Sequence, residues 1–233
     1  MVRSRSTQGV ALLALLAPFA LGSCVADSVS LRITCNVAPE DDCTYEEGAD
    51  CYGNGELNVN EGDPPNVVGA QSYRAVLRVV NGLKPREREV PPLSETNGIQ
   101  IYQFEVRIKD SAGETLSLSG LPNPYTVPAS GFIEPDEEGL VGSDLIPNAY
   151  IGALRTLHGG RTQTTINLSV IARGKTSGDV EVESAGWPWF INIRSVNPNA
   201  SAPQCIPVEE SVCTMGQDRY VFACDPRTVE GGT

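Results

Sequence analysis

Histidine and the recurring catalytic motifs are scarce in this sequence. The 233 residues include one histidine, His158, so any mechanism that needs an imidazole has to use it. No G-x-S-x-G elbow, P-loop, H-E-x-x-H pair or dinucleotide fingerprint occurs. The usual zinc spacing is absent too, because no C-x-x-C is present. The sequence therefore predicts a protein that is not an enzyme. A hydrolase remains the alternative, through His158 or through the carboxylates of Asp136, Glu137 and Glu138.

Positive charge is the second shortage. The chain has 17 Lys and Arg against 29 Asp and Glu, a net charge of −12. Residues 1–23 contain Arg3, Arg5 and no acidic residue, so their removal changes the net charge to −14. A chain this acidic, without a Lys/Arg cluster, repels phosphate backbones and anionic lipid surfaces. Nucleic acid is therefore excluded as a partner.

The chain also lacks an apolar run long enough to cross a bilayer. Its longest run, Val10–Leu21, has 12 residues, whereas a membrane-spanning helix needs about 20. Arg3 and Arg5 precede it, so the segment has the layout of a secretory signal peptide.

The end of this run is Leu21-Gly22-Ser23-Cys24. It resembles the lipobox of bacterial lipoprotein precursors, in which the cysteine receives lipid (palmitate, for example) and becomes the new N-terminus. The resemblance implies a membrane partner through a lipid on Cys24. Val25 is not the Asp that retains many family members at the inner membrane, so the outer membrane is expected. An ordinary cleaved signal followed by a cysteine is the alternative.

With Cys24 assigned to lipid, an even number of cysteines remains, which suits an oxidising compartment and three disulfides. They are Cys35, Cys43, Cys51, Cys205, Cys213 and Cys224. Three lie near each end of the chain, so full pairing requires at least one bridge between the two groups. Cys35 and Cys224 each fall at the alternate positions of a strand that are predicted to be buried. The predicted bridge therefore joins Cys35 to Cys224. Cys43–Cys51 and Cys205–Cys213 would then be local disulfides.

Alternation of apolar and polar residues predicts the fold. It favours an all-β, antiparallel β-sandwich, of which an Ig-like form is one version, stapled by disulfides at its ends. The predicted buried sets begin at Val29, Tyr73, Tyr102, Ile166, Trp189 and Tyr220. A β-bulge is expected near Ile101–Tyr102, where the phase changes. Helical spacing predicts one short helix from Asn148 to Leu157, capped by Asn148 and by Gly159-Gly160.

The predicted organisation is a single domain between two processed or flexible ends. Residues 1–23 form the signal, 24–28 the lipidated tether, 29–225 the sandwich and 226–233 a tail. Pro- and Gly-rich loops are expected at Lys84–Gly98, Leu121–Gly139 and Ser195–Gln204.

One segment, residues 50–61, has partial calcium-loop spacing. Its oxygen donors would be Asp50, Asn54, Asn58 and Glu61. Tyr52 occupies a position where a calcium loop has an oxygen ligand, and neither flank looks helical. A solvated Asx/Gly turn is therefore the preferred interpretation, and a calcium cofactor is the alternative.

Both tryptophans lie in Trp187-Pro188-Trp189. Trp189 shares its phase with Ile191 and Ile193, which predicts a core position. Trp187 stands at a strand entrance and is the candidate for an exposed ring that binds a glycan or a protein.

The body of the chain carries a second resemblance. Gly174–Gly178, Val182–Ser184 and Trp189–Ile193 resemble uncharacterised envelope lipoproteins of the β-sandwich type. The resemblance implies a fold and no chemistry. Together these features predict a lipid-anchored, non-catalytic binding or structural module of the cell envelope. A calcium- or glycan-dependent adhesion module and an envelope hydrolase are the alternatives.

Overall fold

The computed structural model describes residues 30–40, 42–59, 70–85, 96–159 and 164–194, and, near the C-terminus, 205–207, 213, 217–218 and 222–224. Within these residues the fold is almost entirely β. The strands are β1 (Leu31–Asn36), β2 (Gly55–Asn58), β3 (Tyr73–Asn81), β4 (Ile99–Lys109), β5 (Tyr125–Ile133), β6 (Glu138–Ile146), β7 (Thr164–Thr176), β8 (Glu181–Glu183), β9 (Trp187–Arg194), β10 (Cys205–Pro207) and β11 (Phe222–Cys224). One helix, α1 (Asn148–His158), lies between β6 and β7.

Two sheets pack face to face, which confirms the predicted β-sandwich. The small sheet has the order β1-β3-β6, and the large sheet has the order β2-β9-β7-β4-β5, with β8 paired to β7. Neighbouring strands are antiparallel except β2 and β9, which are parallel. Phe104, Leu168 and Ile191 of the large sheet and Leu77 and Val141 of the small sheet meet in one apolar core.

The predicted β-bulge is present and has a consequence for Tyr102. The register of β4 shifts between Ile101 and Gln103 against both of its neighbours. Ile99 and Ile101 on one side and Phe104 on the other all face the core. The sequence pattern predicts a buried Tyr102, but the extra residue turns its side chain outward, to 41% exposure.

The helix is confirmed, with a different N-terminal cap. Pro147, in extended conformation, occupies the cap position, and no side chain caps the helix, so the role expected for Asn148 was wrong. At the other end Gly159 adopts the left-handed conformation with φ of 56°. Glycine has no Cβ to oppose this conformation, and it ends the helix as predicted.

The segment predicted as the loop Leu121–Gly139 is mostly strand. It contains β5 and the start of β6. Prolines and glycines concealed the alternation in this segment. Pro128 is tolerated because β5 is an edge strand of the large sheet, where a residue without an N–H loses no ladder bond.

The predicted disulfide pairs were wrong, although the bridge between the two cysteine groups is present. Cys35 pairs with Cys51, with Cα atoms 5.8 Å apart. Cys43 pairs with Cys213 across 170 positions of the sequence. The register of β1 shifts between Ile33 and Cys35, so Cys35 lies opposite Arg78 on the face away from the core, next to the segment after β1, where Val37 forms a bridge with Cys51. The neighbouring segment, and not a distant strand, therefore supplies the partner of Cys35.

The two remaining cysteines lead to a first testable prediction. Cys205 and Cys224 are direct partners in the antiparallel register of β10 and β11. Directly opposed residues in an antiparallel pair have Cα atoms about 4.5–5.5 Å apart, which lies within the range that a disulfide spans. Digestion of the unreduced protein is expected to give a peptide pair joined through Cys205 and Cys224. Free thiols at both positions would contradict the prediction.

Candidate functional site

A cluster of buried polar side chains joins the C-terminal residues to both sheets. We call Cys213, Gln217 and Asp218 the C-terminal clasp. Gln217 pairs through its backbone with Leu57 of β2. Its side-chain amide reaches the other sheet, where Oε1 accepts from the Arg74 N–H at 2.7 Å and Nε2 donates to the Arg74 carbonyl at 2.5 Å. One residue thus bridges the large and small sheets.

The clasp fills a gap in the small sheet. β1 pairs with residues 77–81 of β3, so the first half of β3 lacks a partner strand on that side. Side-chain amides take its place there. The Asn36 Oδ1 accepts from the Val76 N–H at 3.1 Å, and the Gln217 Oε1 accepts from the Arg74 N–H. Buried backbone groups need such partners, because each unpaired group costs about 1–3 kcal/mol.

The Tyr73 hydroxyl is the centre of the cluster. It donates to the Asp218 carboxylate, with O···O distances of 2.9 and 3.1 Å to the two oxygens. It accepts from the Trp189 Nε1–H at 3.0 Å and from the Asn36 Nδ2–H at 3.4 Å. Tyr73 lies in the small sheet and Trp189 in the large sheet, so this hydroxyl connects the layers inside the core. Its donor and both acceptor positions are occupied.

Asp218 is a buried carboxylate that relies on neutral donors. Its Oδ1 accepts from the Glu56 N–H at 2.9 Å, and its own N–H donates to the Glu56 carbonyl at 2.9 Å. Among the described residues no Lys or Arg forms an ion pair with it. Burial therefore raises the pKa of Asp218 to about 6, against the lowering effect of these hydrogen bonds. Burial also raises the pKa of Tyr73 well above its usual value, and the Asp218 charge adds to this effect.

Gly55 makes room for the cluster. A Cβ built at this position would collide with the Tyr73 hydroxyl and would lie 3.0 Å from the Trp189 Nε1. Any side chain here would separate the hydroxyl from its partners. The glycine at the start of β2 is therefore required by close approach, not by a turn.

The arrangement is suited to holding the fold together and not to chemistry on a substrate. Tyr73 has 0% exposure, and Trp189 and Asp218 are buried with it. A reacting molecule would have to open the sandwich to reach the carboxyl group. The disulfide between Cys43 and Cys213 fixes the same segment covalently, four residues before Gln217.

The residues of the predicted calcium segment are not brought together. The sequence predicts one continuous loop over residues 50–61. The structure differs, because β2 runs through this segment. An extended strand advances about 3.3 Å per residue, so Asn54 before β2 and Asn58 at its end are too far apart to share an ion. Asp50 and Asn54 are exposed, Asn58 is buried, and Glu61 lies outside the described residues. Within the described ranges no three His, Cys, Asp or Glu side chains are grouped to hold a metal ion.

The two tryptophans are stacked on each other. Their ring centroids are 5.2 Å apart with an interplanar angle of 13°. Trp189 is in the core, as predicted. Trp187 shares its inward phase, is half-buried and packs against the core. Much of its ring is therefore already covered by Trp189.

His158 lies inside the fold at the C-terminal end of α1. It is 1% exposed, and its Nδ1 is 3.1 Å from the Thr164 Oγ1. Its Nε2 is buried and has no hydrogen-bond partner in the described structure. An imidazole in this position packs the end of the helix against β7. It does not face a surface that a substrate can reach.

Comparison with known proteins returned no relative: no protein-family model matches the sequence, and no curated protein matches it. The predicted lipidation site, Cys24, lies outside the described residues. Among the described helical residues, no helix has the length and apolar character to span a bilayer.

Proposed function

We propose that this chain is a lipid-anchored protein of the bacterial cell envelope that works as a non-catalytic binding or structural module. Lipid on Cys24 would attach it to the membrane, with the outer membrane as its location. The sandwich would then present its surface to envelope components. In this proposal the protein needs no cofactor for its role.

The disulfides are the observation that supports the proposal most strongly. Two are formed within the sandwich, and one of them joins the two ends of the domain. Disulfides persist in oxidising compartments, which in bacteria lie outside the cytoplasm. This agrees with a secretory signal that ends in a lipobox-like motif.

The placement of the titratable groups favours a non-catalytic role over the hydrolase alternative. His158 and Asp218 are the groups whose chemistry would suit acid–base catalysis, and both are buried with structural partners. Asp136 and Glu137 lie in the exposed turn between β5 and β6, where Asp136 pairs with Lys84. Burial of His158 and Asp218, and the exposed turn that holds Asp136 and Glu137, favour a non-catalytic role.

Replacement of the lipidation residue tests the anchoring. The wild-type chain is expected in the membrane fraction, from which detergent releases it. Cys24→Ala is expected in the soluble fraction, because without acyl chains nothing holds an acidic polypeptide at the membrane. Ser23→Ala keeps a small residue before the cysteine and is the matched control, which should remain with the membrane. Equal membrane retention of Cys24→Ala would contradict the proposal.

A further inference from the structure

The outward surface of the large sheet carries a concentration of basic residues in an otherwise acidic protein. We call this surface, opposite the core, the outer face. Its cations are Arg107 and Lys109 of β4, Arg173 and Lys175 of β7, and Arg194 of β9. They are half of the ten Lys and Arg residues whose side chains the structure describes.

Three of these cations are neutralised by close partners. Arg173 contacts Glu105 at 2.7 Å and Glu183 at 3.4 Å. Arg194 contacts Glu56 at 2.7 Å. Lys175 lies 2.7 Å from Asp179 and 3.8 Å from Glu181. This part of the outer face therefore offers little net charge to a ligand.

Arg107 and Lys109 are different. Arg107 is 3.9 Å from Glu105, whose carboxylate is already bound more closely by Arg173. Lys109 forms no ion pair with the described residues. The uncompensated positive charge of the outer face is thus located at one end of β4.

An exposed aromatic ring lies beside these two cations. Phe190 of β9 is 49% exposed and is the cross-strand partner of Asn167 in β7, which in turn is the partner of Lys109. Two strand spacings separate Phe190 from Lys109, a distance of about 10 Å. Two residues along the strands, the same cross-strand arrangement recurs. Pro188 of β9 is the partner of Ser169 in β7, and Ser169 is the partner of Arg107 in β4.

Polar groups lie between the ring and the cations. Asn167 and Ser169 provide an amide and a hydroxyl in the middle of the two rows. The Asn167 Oδ1 is buried and has no hydrogen-bond partner among the described atoms. An unpaired acceptor gains from a donor such as a sugar hydroxyl, once the side chain turns toward it.

We propose that this end of the outer face binds an acidic polysaccharide, with Phe190 stacking on a pyranose ring and Arg107 and Lys109 binding a uronic-acid carboxylate. The guanidinium fork matches a carboxylate in geometry, and the apolar face of a sugar ring fits a flat aromatic side chain. The ring and the cations are about 10 Å apart, so one extended polysaccharide chain that crosses the strands can contact both.

The net negative charge of the protein does not prevent this binding. At physiological salt, charges more than about 8 Å apart are largely screened. A carboxylate in contact with Arg107 and Lys109 therefore interacts mainly with the charges close to it, which are these two cations and Glu105, a carboxylate that lies 3.9 Å from Arg107 and is bound more closely by Arg173. The protein's overall charge reduces non-specific attachment of polyanions elsewhere on the surface.

This proposal deepens the binding role proposed above and rests on it. It moves the glycan contact from Trp187, whose ring is stacked on Trp189, to Phe190, whose ring faces solvent. Glycan binding is measured with purified protein, whereas anchoring is measured by fractionation. If the protein does not bind the glycan, the fractionation experiment still tests the lipid anchor, and the reverse also holds.

Affinity electrophoresis tests the site. The purified full chain in detergent is run through gels that contain alginate, a polyuronate, or dextran, a neutral glucan. Alginate is expected to retard the wild-type chain, and dextran is not. Phe190→Ala and the double variant Arg107→Gln/Lys109→Gln are each expected to weaken the alginate affinity at least tenfold. Added salt should weaken the binding of the wild type further.

Phe132→Ala is the matched control, because Phe132 is 51% exposed on the same face, at the far end of β5. It should bind alginate as the wild type does, and all variants should keep the wild-type melting temperature. The proposal is overturned if alginate does not retard the wild type, or if Phe132→Ala loses as much affinity as Phe190→Ala. Binding to anionic lipid vesicles with the same residue dependence would overturn it too, in favour of a membrane surface.

Discussion

Removal of the disulfide between Cys43 and Cys213 is expected to lower the free energy of unfolding by about 5 kcal/mol. The bridge closes a loop with a sequence separation of 170, and chain-entropy arguments give roughly this value for so long a loop. It also attaches the clasp, so Gln217 and Asp218 lose their covalent restraint when it is absent. The measurement is urea unfolding of Cys43→Ala/Cys213→Ala beside the wild type.

The second disulfide is the control for this prediction. Cys35 and Cys51 have a sequence separation of 16, for which the same argument gives about 3 kcal/mol. Cys35 is buried, whereas Cys43 is exposed. Lost packing would therefore penalise the Cys35→Ala/Cys51→Ala variant more. If this variant nevertheless loses less stability than Cys43→Ala/Cys213→Ala, loop length is the dominant factor. A loss of about 3 kcal/mol or less in Cys43→Ala/Cys213→Ala would contradict the entropic argument for the clasp, because so long a loop should contribute more than the short one.

Much of the sandwich follows from local patterns. Leu31 and Ile33 alternate with polar residues because one face of β1 meets the core, and the same holds for Tyr73 and Ala75 in β3, which lie on either side of Arg74. The phase change near Ile101 predicts the β-bulge without any tertiary information. Each of these features depends only on neighbouring residues, which is why the sequence is sufficient.

Other strands depend on contacts that the sequence does not display. β2 has four residues and pairs in parallel with β9, far away in the chain. The prolines and glycines of β5 are tolerated only because the strand lies at an edge. The pairing of the cysteines is similar. Their parity requires a bridge between the two groups, but six cysteines allow 15 pairings, and geometry selects among them.

The clasp was missed for a physical reason. Carboxylates are usually exposed, so an aspartate between unremarkable residues predicts surface. Burial of Asp218 becomes favourable only when Glu56 and Tyr73 supply donors from two distant segments and Gln217 supplies one from the neighbouring position. The one available signal was the cysteine parity, which requires part of the C-terminal segment to return to the N-terminal part of the domain.

Replacement of Asp218 by asparagine is expected to change how stability depends on pH. The folded-state pKa of about 6 lies above the usual aspartate pKa of 3.8, so the folded protein binds the proton more tightly than the unfolded chain. The stabilisation is fully present below pH 3.8 and is lost as pH rises through 6. Two pKa units correspond to about 3 kcal/mol. Relative to Asp218→Asn, the wild type should therefore gain about this much stability between pH 7 and pH 4.

The comparison of variants isolates this one carboxyl group, because all other titrations are common to both proteins. At pH 7 the amide Oδ1 still accepts from the Glu56 N–H and the Tyr73 hydroxyl, but its NH2 replaces the oxygen that Gln217 Nε2 approaches. The dependence of stability on pH, and not the absolute stability, is therefore the quantity compared. Asp144→Asn, at an exposed position of β6, is the matched control and should follow the wild-type profile. Urea unfolding at pH 4, 5, 6 and 7 measures all three proteins. A difference between Asp218→Asn and wild type that stays constant over this range would mean that the buried carboxyl does not titrate there, and that it stays ionised among its neutral donors.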